Sequence, residues 1–191
     1  MIMFIDFVAV MLVNLAISLV LLAYLVLTLG TKHQKKGFPG LFITGFISVV
    51  TGLYMIFTWP LPSSYNIDFG GPAVLLGALV FGLGLAVMKD WDLISFAIFS
   101  DLAGISAIVL GAGLIVRGAT DAPMLSGSGY ILTGLAGLLA LPLYFGRRSK
   151  TLRIIVALIL LAAALIWAFV GYGAYWKHMD SFSKWKPLPM R

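Results

Sequence analysis

Seven of the polar side chains inside the otherwise apolar stretches of this chain give, by type and spacing, its clearest hint of chemistry. Thr44, Ser48 and Thr51 follow one another at i, i+4 and i+7, which puts three hydroxyls on one face of a helix. Asn14 and Ser18 are again four apart, and Thr133 stands alone in a later stretch. Hydroxyls and amides aligned this way can line a path for a small neutral or weakly acidic solute. The competing reading is that each hydroxyl bonds back to a carbonyl of its own helix, as Ser and Thr readily do. The seventh is Asp101, roughly 12 Å along its helix at 1.5 Å per residue from Leu93. A carboxylate at such depth costs about 2.5–3.5 kcal/mol on insertion scales. Asp101 is therefore expected to be protonated, bonded to hydroxyls such as those of Thr44 or Ser48, or wetted by a cavity. A proton-sensitive gate and a structural hydrogen bond to a neighbouring helix are its two readings.

Other reactive chemistry is sparse. There is no cysteine, so thiolate nucleophiles, thiolate metal ligands and disulfides are excluded. His33 lies in a basic turn and His178 in the tail, neither with a second His or carboxylate at metal spacing, so both read as solvated. Asp90 and Asp92 flank Trp91 in a turn where helix capping accounts for them. GLGLAV follows no strand, which removes a nucleotide loop. With no nucleophile, acid and base pair or metal cluster, the chain reads as a non-enzyme that needs no cofactor.

The elements that must position these side chains follow from hydropathy. Apolar residues make up 61% of the 191 residues and charged residues 10%, a balance that suits lipid rather than water. Spanning the hydrocarbon core takes roughly 20 apolar residues, and six stretches qualify: residues 6–30, 41–59, 71–88, 93–116, 127–146 and 152–176. A membrane barrel would alternate polar and apolar residues, whereas IIVALILLAAALIWAFV is apolar on every side. The expected fold is an all-α integral membrane protein, a single transmembrane domain of six helices over residues 1–191. MIMFIDF lacks a basic leader segment, so the first stretch reads as a helix that stays rather than a cleaved signal. The net charge of +6 is best explained by anionic lipid headgroups and not by nucleic acid, because the cations lie beside the spans.

Charges in the gaps differ between the two sides. Lys32, Lys35, Lys36, Lys89, Arg147, Arg148, Lys150 and Arg153 fall on one side, and the two gap loops of the other hold only Arg117. The excess of Lys and Arg in short cytoplasmic loops predicts both termini outside in the cell membrane; the tail cations Lys177, Lys184, Lys186 and Arg191 pull the other way. The chain then forms three antiparallel hairpins closed by the turns TKHQKKG, KDWD and RRSK. Trp59, Tyr65, Tyr130, Tyr172, Tyr175 and Trp176 fall near the external boundary, where an aromatic belt is expected.

Lipid gives helices no hydrophobic reason to associate, so small residues mark contacts. Ser100, Gly104, Ala107 and Gly111 form one stripe, Gly134 and Gly137 a second, and Gly45 and Gly52 lie a heptad apart. The second, fourth and fifth spans are thus expected inside. The sixth carries no Asp, Glu, Lys, Arg, His, Asn, Gln, Ser or Thr between Ile154 and Val170, and is expected to face lipid or another protomer.

FTWPLPSSYNIDFGGP (57–72) and the tail SFSKWKPLPMR (181–191) resemble a family of prokaryotic, largely archaeal, six-span membrane proteins of unknown function, over the whole chain. GPAVLLGALVFGLGLAVMKDWDLISFAIFSDLAGI (71–105) is more distantly similar to the third and fourth helices of the AmiS/UreI urea and amide channels. That resemblance implies six helices in three hairpins with external termini. It departs where that family brings tryptophans on the fifth helix and a glutamate on the sixth, since neither occurs here, which puts urea itself in doubt. The expected function is a passive, homo-oligomeric channel or facilitator for a small uncharged or weakly acidic solute. The alternative is a non-catalytic accessory subunit of a larger membrane complex.

Overall fold

The computed structural model describes residues 6–62 and 64–183. Lys184, Lys186, Arg191 and most of the tail motif lie outside the described residues, as do residues 1–5 of MIMFIDF and Ser63 of the first motif. Over the described residues the fold is all-helical, with six helical segments of membrane length. The helices are α1 (Phe7–Thr28), α2 (Phe38–Thr58), α3 (Gly71–Lys89), α4 (Ile94–Arg117), α5 (Pro123–Leu138), α6 (Ala140–Phe145) and α7 (Lys150–Phe182). A 3-10 turn at Gln34–Gly37 leads into α2, and a π-helical turn at Asn66–Gly70 leads into α3. One end of the bundle carries the three basic turns and is called the basic end here; the other carries the termini.

The fifth span differs from its expected range in an instructive way. It starts at Pro123 rather than residue 127, because proline fits the first helical turn, where its missing N–H would be unbonded anyway. It breaks at Leu139 because Pro142 cannot donate to the Leu138 carbonyl and its ring crowds that oxygen. The short α6 completes the crossing. The last helix runs 33 residues, roughly 50 Å at 1.5 Å per residue, so it overshoots a hydrocarbon core of roughly 30 Å. At its overshoot His178 Nδ1 donates to Asp6 Oδ1 at the start of α1. His178 is thus a staple between chain ends instead of a solvated side chain.

Helices joined by the short basic turns touch, but the closest seams join α2 to α3, α4 to α5 and α1 to α7. Backbone approach decides this. A Cβ on Gly77 would lie 2.7 Å from the Val49 nitrogen, one on Gly52 2.9 Å from the Gly70 oxygen, and one on Gly45 would overlap the Phe81 backbone. Across the α4–α5 seam, Cβ atoms on Gly104, Gly111, Gly134 and Gly137 would come within 2.5–2.8 Å of carbonyl oxygens of Gly134, Gly127, Gly104 and Ser100. The α1–α7 seam uses alanine and leucine: Ala9, Leu12, Ala16 and Leu19 face Ala157, Leu160, Ala163 and Ala164, all buried.

Two expectations about which helices lie inside are corrected. Half of the apolar window of α1 is buried but only 17% of that of α4, so α1 is the central helix and α4 lies at the rim. A stripe of small residues on α4 is enough to seat α5, and its remaining faces stay open. Helix α7, expected to face lipid or another protomer, buries Val156, Ala157, Leu160, Ala163, Ala164, Trp167 and Gly171 and leaves only its other face exposed. An apolar helix in lipid needs no polar residue to be recruited inward; shape complementarity suffices.

Candidate functional site

Two cavities run along the bundle, one above the other. At the basic end a vestibule of about 430 Å³ opens between α1, α3, α4, α6 and the start of α7. Deeper, towards the termini, lies a chamber of about 80 Å³, more than the roughly 10–15 Å³ that one water needs. Leu79 of α3 and Ser100 of α4 line both, at the place where the two cavities approach each other. The Ser100 hydroxyl makes no side-chain hydrogen bond among the described residues. The chamber wall is mostly aliphatic, with Ser48, Ser106 and Thr133 adding hydroxyls.

At its far end the chamber meets Phe69 and Tyr130. The Tyr130 hydroxyl donates to the Asp68 carbonyl at 2.6 Å, and its ring meets Trp167 edge-on at 4.8 Å. Tyr130 is 4% exposed and therefore belongs to this seal, not to the interfacial belt where its sequence position had suggested it. Trp59, Tyr172 and Trp176 are exposed at that end. The turn holding Asp68 is tied by Asn66, whose Oδ1 accepts from Leu61 N at 3.1 Å and whose Nδ2 donates to Leu61 O at 2.5 Å. Asp68 is itself buried: Oδ2 accepts from Ser64 Oγ at 2.7 Å, while Oδ1 has no hydrogen-bond partner and lies 3.9 Å from Arg117 Nη2. Asp68 and Asn66 do not stand out in the sequence because they lie in a loop outside the apolar spans. The available signal was their place in FTWPLPSSYNIDFGGP, where two polar residues abut the Gly-Gly-Pro start of a span.

The residues singled out from sequence separate into two groups. Asn14 Nδ2 donates to Thr44 O at 2.9 Å and Ser48 Oγ at 2.8 Å, and Ser18 Oγ donates to Asn14 O at 2.9 Å. Thr44 and Thr51 donate to the carbonyls of Gly40 and Ile47 on their own helix. These bonds tie α1 to α2, and of this cluster only Ser48 reaches the chamber. Thr133 lines the chamber, donates to Gly129 O and accepts from Trp167 Nε1 at 3.3 Å. The seven small residues Gly45, Gly52, Ser100, Gly104, Gly111, Gly134 and Gly137 sit on the α2–α3 and α4–α5 seams.

Asp101 lines neither cavity and meets neither Thr44 nor Ser48. Its Oδ1 accepts from the Leu141 backbone N–H at 3.2 Å, on the short helix that begins where Pro142 breaks α5. The freed amide needs an acceptor in the absence of water, and a carboxylate from α4 supplies it. Asp101→Ala is accordingly expected to cost about 1–3 kcal/mol in mixed-micelle unfolding, and Asp101→Asn less, since it keeps an acceptor oxygen. A change in solute flux in Asp101→Asn at unaltered stability would instead put the residue on a path.

At the vestibule mouth, Asp92 accepts the Ile94 N–H at 2.8 Å and the Tyr144 hydroxyl at 2.9 Å. These bonds, with Arg147 nearby, hold its carboxyl below the usual carboxylate range. Lys35 Nζ pairs with Asp90 at 2.5 Å, and Arg147 lies over the Tyr144 ring at 5.5 Å. Both aspartates of the turn thus have partners.

Fold and site together define a multi-pass helical membrane protein with two cavities that share lining residues. The chain belongs to the family described as protein of unknown function (DUF981), whose model matches residues 1–181. No curated protein and no solved structure matches it.

Proposed function

We propose that the protein is a passive, non-catalytic facilitator for a small neutral or weakly acidic solute, with its basic end cytoplasmic and both termini outside. One observation carries this reading: the vestibule and the chamber share Leu79 and Ser100, so they form an axial route interrupted by one neck and closed by the Tyr130 seal. The stretch 71–105, which resembles the third and fourth helices of urea and amide channels, supplies both neck residues. The proposed path is Ser100, Ser48 and Thr133, without Asp101; Asn14, Ser18, Thr44 and Thr51 support it by fixing α1 against α2. A largely aliphatic wall suits a solute that sheds its hydration shell at low cost, and disfavours ions.

Proteoliposome flux assays with short-chain amides, urea, ammonia and short carboxylic acids test the proposal. At least one should cross faster than in protein-free liposomes, and a homo-oligomer free of other chains should be recovered in mild detergent. No flux for any of them, together with stoichiometric foreign chains in the preparation, would assign the accessory-subunit role.

A further inference from the structure

The mouth of the vestibule has more cationic capacity than its own carboxylates use. Arg153 lines it, partly buried, and its Nε and Nη2 both donate to the Arg147 carbonyl. That fixes the plane of the guanidinium and leaves three of its five N–H groups for another acceptor. Among the described residues no carboxylate comes within ion-pair distance of Arg147 or Arg153, since Asp90 is paired with Lys35 and Asp92 is bonded to Ile94 and Tyr144. Arg147 acts on Asp92 only at longer range. Directly behind the arginines the wall turns apolar, with Leu22, Val26, Leu83, Phe96 and Val156. The cavity volume of about 430 Å³ lies in the range of small-molecule sites, roughly 300–1,000 Å³.

We infer that the vestibule binds a single-chain aliphatic carboxylic acid, its carboxylate on Arg153 and its hydrocarbon chain in the apolar cleft that leads to the neck. A guanidinium held in one plane matches the two oxygens of a carboxylate, and the aliphatic wall gains from covering a chain that water solvates poorly. The inner chamber has no Lys, Arg or His in its lining, so the anion is held in the vestibule and not beyond it. Naming this acid as the transported solute rests on the facilitator reading; binding does not.

The test is calorimetric titration of the purified full chain in nonionic detergent with hexanoate, hexanol and hexylamine. Hexanoate should bind saturably, with the alcohol and the amine about tenfold weaker or worse. Arg153→Gln should weaken hexanoate by a similar factor and Arg153→Lys by less. Phe96→Trp, which fills the cleft and leaves the arginines in place, should weaken hexanoate too, so the result does not hang on one variant folding. Equal affinity for the alcohol, unchanged affinity in folded Arg153→Gln and Phe96→Trp, or no saturable hexanoate binding would overturn the inference. Displacement of hexanoate by phosphatidylglycerol but not phosphatidylcholine vesicles would overturn it in favour of a lipid headgroup. Arg153-dependent binding without flux would leave this site standing and remove the facilitator reading.

Discussion

Replacing Leu79 by tryptophan is expected to lower solute flux about tenfold or more, an added barrier of about 1.4 kcal/mol, whereas alanine at the same position should raise it. Leu79 is 6% exposed and lines both the vestibule and the chamber. An indole there projects into space that is open on both sides, so it can be accommodated while closing the neck. Alanine removes side-chain atoms at that point and joins the two cavities more widely. The alanine variant loses stability, but by less than the roughly 2–5 kcal/mol of a leucine in a well-packed site, since cavities already border Leu79. Opposite directions of flux separate the neck from simple damage, because a general loss of folded protein would lower flux in both variants. Rates of hexanoate or amide entry into proteoliposomes, normalised to folded protein, provide the measurement. Equal flux in both variants and the parent would move the route away from α3 and α4.

The largest structural effect is expected at Gly45. A Cβ there would overlap the backbone of Phe81, and a backbone cannot rotate away as a side chain can. Gly45→Val should therefore part α2 from α3, at a cost of about 1–3 kcal/mol or more, and deplete the monodisperse fraction in mild detergent. Gly71→Ala is the matched control, since no atom lies within 4 Å of the added Cβ at the start of α3. Its expected change is small, within about 1 kcal/mol and on the favourable side, because alanine loses less freedom than glycine in a helix. Unfolding in mixed micelles reads both. Equal stability of the two variants would mean that the α2–α3 seam is looser than its contacts imply.

What could be read in the residues and what could not divides along a physical line. Six helices were legible because a backbone in lipid has to satisfy its own polar groups, so length and hydropathy alone place each crossing. The small residues at 45, 52, 100, 104, 111, 134 and 137 were legible as positions where backbones can approach. The partners across those seams were not, since Gly45 meets Phe81 thirty-six residues on and nothing local to either marks the other. Asp101 stood out as a deep carboxylate, yet its hydrogen-bond partner is an amide freed by Pro142, forty residues away in sequence. Tyr130 looked interfacial by position and is buried because its hydroxyl finds the Asp68 carbonyl.

The sequence by itself determined that this chain crosses a membrane six times as helices. It also placed the cations at one set of turns and left its few polar side chains where each must find a partner. Only the tertiary structure decided that α1 is central, that α1 closes on α7, and that the cavities meet at Leu79 and Ser100. The reason is that lipid does not rank the faces of an apolar helix. Shape complementarity between segments far apart in the chain does, and it exists only once they meet.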